Sequence, residues 1–287
     1  MHLFKVERTW SASNNYFPIV FLGDMHIGNP ACDYKLLKKH IEDIEKLPNA
    51  MVFLMGDMAE WIVCGDKRYQ ASQIDPQFRD RLDELPMAYL DYLEDLLAPI
   101  AHKIEVLHDG THEKKMFPLM YPGAELASRL RKKAAKRIGN KEAQNKLRYA
   151  PGEAYTKITW KTKTNSDYRS TMINTAHGWQ AGRQPGAKHN TMQSLFAWIG
   201  ADMVFRGHSH ELFAEYGSPR EVPNQQMSKI HTVDTICGNT GSYFTTREVS
   251  KRPSYAEDAG YKPLRKGHIQ VHVQIHDDGL TKTIHVK

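Results

Sequence analysis

The chain is poor in cysteine, with Cys32, Cys64 and Cys237 as the only thiols in 287 residues and no C-x-x-C pair among them. Three widely spaced thiols argue against a disulfide framework and a thiolate zinc site, and favour a reducing compartment. Long apolar runs are missing too. Stretches such as 19–22 and 51–55 fall far short of the roughly 20 residues that cross a bilayer, so no membrane partner is expected. Residues 1–8 lack a basic start followed by an apolar core, so no signal peptide is read and the cytoplasm is the expected location. Repeats, low-complexity tracts and clear linkers are also lacking, which suits a single domain over 1–287. All-round positive charge is absent as well. The formal charge is +6, but 129–148 holds nine basic residues and one acidic one, leaving −2 for the rest.

Histidine, in contrast, is plentiful: fifteen residues, dispersed along the chain. Excess imidazole without thiolate points to metal sites built from His and carboxylate.

The apolar pattern organises the chain. Residues 17–22 read as a buried strand ending at Gly23-Asp24, and 51–55 as a second ending at Gly56-Asp57. Residues 103–107 read as a third strand, followed by His108-Asp109-Gly110-Thr111-His112-Glu113. Between them, Leu37, Ile41, Ile44 and Leu47 recur at helical spacing, with Pro48 as the stop, and Leu82, Leu85, Tyr89, Leu93 and Leu96 predict one long helix over 78–97. This alternation predicts an α/β layered fold with its sites in the loops after the strands. Further along come an expected helix over 124–138, a hairpin from 153–160 and 168–175, a helix over 189–199 and a short strand over 202–205. In 269–275 apolar residues alternate with polar ones, which places His272 and His276 toward solvent.

Five segments carry chemistry: Asp24-Met25-His26, Gly56-Asp57, Gly110-Thr111-His112-Glu113, His177-Gly178 and Gly207-His208-Ser209-His210. Four follow an apolar strand or strand-like run. Glycines let the backbone turn sharply there and approach a cluster closely. Carboxylates and imidazoles at strand ends suit divalent ions of intermediate hardness, such as Mn, Fe or Zn. Each segment alone is commonplace; the ordered set is not.

This ordered set, spanning 22–210, resembles the calcineurin-like metallophosphoesterase superfamily. The stretch from His177 through Gly186-Ala187-Lys188-His189-Asn190 to His210 is similar to an uncharacterised phage and prophage branch of it. Gly241-Ser242-Tyr243-Phe244, Ser254-Tyr255-Ala256-Glu257 and Tyr261-Lys262-Pro263-Leu264 share that likeness. The branch implies a bacterial host cytoplasm and no particular substrate. The superfamily resemblance implies a four-layer α/β/β/α sandwich with two divalent metal ions. Asp24, His26 and His210 would then bind the first ion, His177 and His208 the second, and Asp57 would bridge them. His112 would face the scissile phosphate as general acid, and Glu113 would orient it. Two such ions about 3.5–4 Å apart can share a hydroxide for in-line attack on a phosphate ester. The resembled pattern has Asn where this chain has Thr111, so Thr111 ligates directly or through water, Asp109 takes its place, or the second site is weak.

Neighbouring residues leave alternatives open. Glu60 is either a support for a metal ligand or a capping or salt-bridged carboxylate. Arg183 and Lys188, on a Gly-containing basic stretch after His177, are candidate substrate-binding cations or ordinary surface residues. Asn239 and Tyr243 are candidates to line the cleft. The basic helical stretch at about 121–150 either overhangs the cleft and tracks DNA or RNA, or is a solvated helix face. The expected function is hydrolysis of a phosphoester, with a phosphodiester favoured. The alternative is a catalytically impaired nucleic-acid-binding or assembly module. The oligomeric state is left open.

Overall fold

The computed structural model describes residues 1–66, 69–117, 119–139, 146–163, 168–179, 185–223, 228, 230–246, 262–277 and 279–287. In chain order the strands are β1 (His2–Thr9), β2 (Tyr16–Leu22), β3 (Met51–Leu54), β4 (Ile104–His108), β5 (Arg148–Ala150), β6 (Ala154–Lys161), β7 (Tyr168–Ala176), β8 (Met203–Arg206), β9 (Leu212–Tyr216), β10 (Arg220–Pro223), β11 (Ile230–Val233), β12 (Ile236–Thr240), β13 (Ile269–His276) and β14 (Gly279–Val286). The α-helices are α1 (Tyr34–Lys46), α2 (Leu85–Leu97), α3 (Thr111–Lys114), α4 (Pro122–Ile138) and α5 (Pro185–Trp198).

Strands β3 and β4 are buried along their whole length, as is nearly all of β2; parallel sheets covered on both faces produce this pattern. They form a sheet of order β14-β13-β2-β3-β4-β5, parallel from β2 to β5. A second sheet runs β1-β6-β7-β8-β12-β9, with β7, β8 and β12 parallel; β10 and β11 form a separate ribbon.

The core divides into three layers of contact. Val20, Leu22, Val52 and Leu54 pack beneath Leu37, Ile41 and Ile44 of α1 and the apolar faces of α2 and α4. On the other face, Phe17, Ile19, Phe21 and Phe53 meet Trp160, Ile173 and Phe205 of the second sheet. Beyond that sheet, Val204 and Cys237 are covered by Met192 and Leu195 of α5. The order is therefore helix, sheet, sheet, helix: a four-layer α/β/β/α sandwich.

Several elements depart from the sequence reading. The single helix over 78–97 is a 3-10 segment (Pro76–Glu84) that kinks into α2, with non-helical dihedrals at Arg81. Pro86 lacks an N–H and its ring opposes the carbonyl four residues back, so the α-helix starts there instead of continuing through. Helix α5 begins four residues earlier than expected, at Pro185. His272 is half-buried, not free in solvent: its ring bonds Tyr16 and Gln270 and stacks on His285 at 3.8 Å.

The basic stretch joins the body of the fold. Helix α4 packs on α2, and β5 extends the first sheet beside β4. Its cations meet acids from other helices: Arg129 with Asp91 at 2.8 Å, Lys133 with Glu94 at 3.4 Å and Arg137 with Glu45 at 2.5 Å. Among the described residues no helix is long and apolar enough to cross a membrane.

Candidate metal centre

Strands β2, β3, β4, β7 and β8 all end at one edge of the sandwich, and each of the five sequence segments follows one of them. The two sheets are tied there by hydrogen bonds. His177 Nδ1 donates to Met55 O at 2.8 Å, and the His208 amide donates to the Asp24 carboxylate at 3.0 Å. The turns are tight. Asp24, His26, Asp57, His208 and His210 all have φ between 47° and 66°, the left-handed region. Each such residue costs about 1–2 kcal/mol, a strain found where surrounding structure fixes a functional geometry. Gly110 has no alternative: a Cβ there would collide with the Asp57 carboxylate.

Two clusters result. Asp24, His26 and His210 place one ligand atom each within 4.8 Å of one another, and so do Asp57, His177 and His208. His26 Nε2 lies 2.9 Å from His210 Nε2, and His177 Nε2 lies 3.1 Å from Asp57 Oδ2. His26 also forms a third group with Glu60 and His112.

The donor atoms test whether divalent ions fit. Metal-binding imidazoles anchor one ring nitrogen on an oxygen and present the other. His26 does this, with Nδ1 on Glu60 Oε1 at 3.0 Å, and His177 does it with Nδ1 on Met55 O. The resulting set of carboxylate oxygens and imidazole nitrogens fits Mn, Fe or Zn.

Protonation states record the same crowding. Burial lifts Asp24 to about 7, against the pull of His177. Burial also acts on Asp57, but the adjacent His177 holds it well below the ordinary carboxylate range. Burial disfavours charge on His26 and His177, yet Glu60 and Asp57 respectively push each up to about 9. His210 is held well below its ordinary value by burial and by His26. Two carboxylates are thus balanced by protons on imidazoles, which divalent ions would displace.

Glu60 is the residue the sequence undervalued. Besides anchoring His26, its backbone oxygen accepts from His112 Nδ1 at 2.7 Å, and its Oε2 lies 3.4 Å from the same nitrogen. Glu113 is placed differently from the expectation that it orients His112. It is fully buried and its carboxylate accepts four bonds, from the amides of Asp57, Met58 and Gly110 and from Trp61 Nε1, at 2.8–2.9 Å. Those four donors fill its lone pairs, so Glu113 fixes the Asp57 loop and the start of α3.

Thr111 Oγ1 donates to Asp57, 3.1 Å from Oδ2, beside the second cluster. Asp109 does not take its place; its carboxylate turns away to accept from the Tyr149 hydroxyl. Lys188 is nearly buried, and its ammonium donates to Ser209 O at 2.8 Å and meets Glu211 at 3.1 Å, so it braces the His208–His210 loop from α5. Arg183 lies outside the described residues. Tyr243 is buried with its hydroxyl between His40 and His268, while its amide and the Ser242 hydroxyl hold Asp24 O; Asn239 is buried within β12.

No protein-family model matches the chain, and no curated relative does. Among solved structures it is similar to Vps29 from Entamoeba histolytica complexed with zinc, 12% identical with a TM-score of 0.37, covering 94% of this chain and 98% of that one. It is also similar to the calcineurin-like phosphoesterase YfkN from Bacillus subtilis, 11% identical with a TM-score of 0.35 over 95% and 91% of the two chains. A metallophosphoesterase from Sphaerobacter thermophilus is 10% identical, with a TM-score of 0.32 over 94% and 89%.

Proposed function

We propose that the chain is a metal-dependent phosphoesterase of the calcineurin-like type, with a dinuclear centre and a phosphodiester as its preferred substrate. The observation that carries this reading is the pair of three-residue clusters converging from both sheets, in which His26 and His177 each keep one ring nitrogen anchored. Asp24, His26 and His210 would hold one ion, His177 and His208 the other, with Asp57 between them and Thr111 alongside. Bound divalent ions supply transition-state charge stabilisation and a hydroxide nucleophile near neutral pH.

The chain's own groups supply the remainder. His112 sits at the mouth, its side chain 15% exposed, with Nδ1 fixed on Glu60 O. Its Nε2 is then the nitrogen that gives a proton to the departing alkoxide. The His112 amide donates to Asp57 Oδ1 at 2.8 Å, so the acid on α3 and the carboxylate after β3 are tied to each other. A diester is favoured because, among the described residues, two cations next to the cluster loops are already committed. Lys188 is held by Glu211 and Ser209, and Arg206 by Glu153 at 3.3 Å and Asn174 at 2.7 Å. Neither offers spare charge to a monoester dianion.

The test is turnover of bis-p-nitrophenyl phosphate by metal-loaded protein, with His112→Ala as control. The expected result is hydrolysis that falls about 10²–10⁴-fold in the variant while its metal content stays unchanged. A metal-loaded protein that hydrolyses no phosphoester yet binds DNA with steep salt dependence would instead be a binding module.

A further inference from the structure

Helix α4 has two charged faces. Arg129, Lys133 and Arg137 meet acids of α1 and α2. Arg131 and Lys132 have no acidic partner among the described residues; Arg131 spends only its Nε, on Leu147 O at 3.1 Å. These two cations line a cavity of about 460 Å³, together with Ser128 one turn back, Arg148 and Tyr149 of β5, and Phe4 of β1. Ser128, Arg131 and Lys132 share one helix face by their spacing. Arg148 stands 6.0 Å from the centre of the Phe4 ring, and its neighbours Arg8 and Lys146 add charge. One buried carboxylate, Glu105, serves both Arg8 and Arg148. Burial pushes Lys146 and Arg148 below their ordinary values, and Arg8 adds to the effect while Glu105 opposes it.

We infer that this cavity is a nucleoside-phosphate site separate from the metal clusters. Arg131 and Lys132 would take the phosphate oxygens, since guanidinium forks and ammonium groups match phosphate in charge and geometry; Arg148, whose guanidinium already donates to Lys146 O at 2.7 Å and Lys5 O at 2.6 Å, adds charge beside them. Phe4 and Tyr149 would take the base by stacking, which accepts any base. Tyr149 joins the cavity to the catalytic loop, because the hydroxyl on the same ring holds Asp109, two residues before Thr111. The ligand is either a free nucleotide or a nucleotide within a strand, and the measurement separates the two.

The experiment is calorimetric titration of the full chain in EDTA with AMP, inorganic phosphate and 5′-phosphorylated decathymidylate. AMP is expected to bind saturably and more tightly than inorganic phosphate. Lys132→Glu, at an exposed position with no acidic partner among the described residues, is expected to weaken it at least about tenfold. Phe4→Leu is expected to bring AMP down to the level of inorganic phosphate, and Asp57→Asn to change nothing. Decathymidylate binding tighter than AMP, with a steep loss in salt, assigns the site to a strand; equal affinities assign it to a free nucleotide. The inference is overturned if neither nucleotide probe binds, if Lys132→Glu leaves affinity within twofold, or if Asp57→Asn abolishes binding.

Discussion

Replacing Glu113 separates two roles that the sequence cannot tell apart. If this carboxylate merely oriented His112, Glu113→Gln would keep the fold and lower kcat. The structure gives it four buried donors, two on each oxygen. A bond to a charged acceptor is worth about 1.5–3 kcal/mol, and a buried donor left unpaired costs about 1–3 kcal/mol. Against this stands the cost of burying the carboxylate, several kcal/mol, which alanine removes. Water entering the vacated space would serve one or two of the orphaned donors. The net expectation for Glu113→Ala is a loss of roughly 3–5 kcal/mol. Glu113→Gln turns an NH2 toward N–H donors and should lose about 2–3 kcal/mol. Urea unfolding followed by circular dichroism measures both losses, and metal content should fall with them because the Asp57 amide is one of the four donors. Losses under about 1 kcal/mol with intact metal binding would refute this account.

Thr111→Asn should raise affinity for the second ion, since an amide oxygen is a better donor than the hydroxyl now spent on Asp57, 3.1 Å away; unchanged occupancy by competitive chelation would contradict this. Burial pushes His268 down to about 3, so the unfolded chain takes up its proton near pH 6.5 and the folded chain does not. Stability from this group is therefore full above pH 6.5 and lost as pH falls toward 3. His268→Gln should remove up to about 1.4 kcal/mol per pH unit from the slope between pH 5 and 6.5; identical slopes would count against the assignment. In the metal-free chain His26 and His177 carry protons up to about pH 9, so ion affinity should climb as pH rises from 6 to 9, and a flat profile would be inconsistent with that protonation.

What the sequence revealed was local. Strand ends at Gly23-Asp24 and Gly56-Asp57 are legible because an apolar run stops at a small residue and a carboxylate. Helix α1 is legible from its apolar period and Pro48. Long-range contacts leave no such trace. Arg129 and Asp91 are 38 residues apart, so the neutralisation of α4's charge shows only once α2 lies against it. Glu60 looks like any acid after a turn until His26 and His112 close on it from two other loops. Glu113 sits next to His112 in the chain, and adjacency suggested a shared task, yet successive residues on a helix point apart. Left-handed backbone at Asp24, His26, Asp57, His208 and His210 is uncommon for non-glycine residues, although Asp and His adopt it more readily than most, and tertiary contacts decide where it occurs.

Metal stoichiometry reads the two clusters directly. The chain is loaded with Mn or Zn, freed of excess by gel filtration and measured by elemental analysis alongside His26→Ala and His208→Ala. Close to two ions per wild-type chain and about one in each variant are expected, because each histidine belongs to a different cluster. A wild-type chain that retains no ion, or variants that retain as many as the wild type, would contradict the two-ion reading.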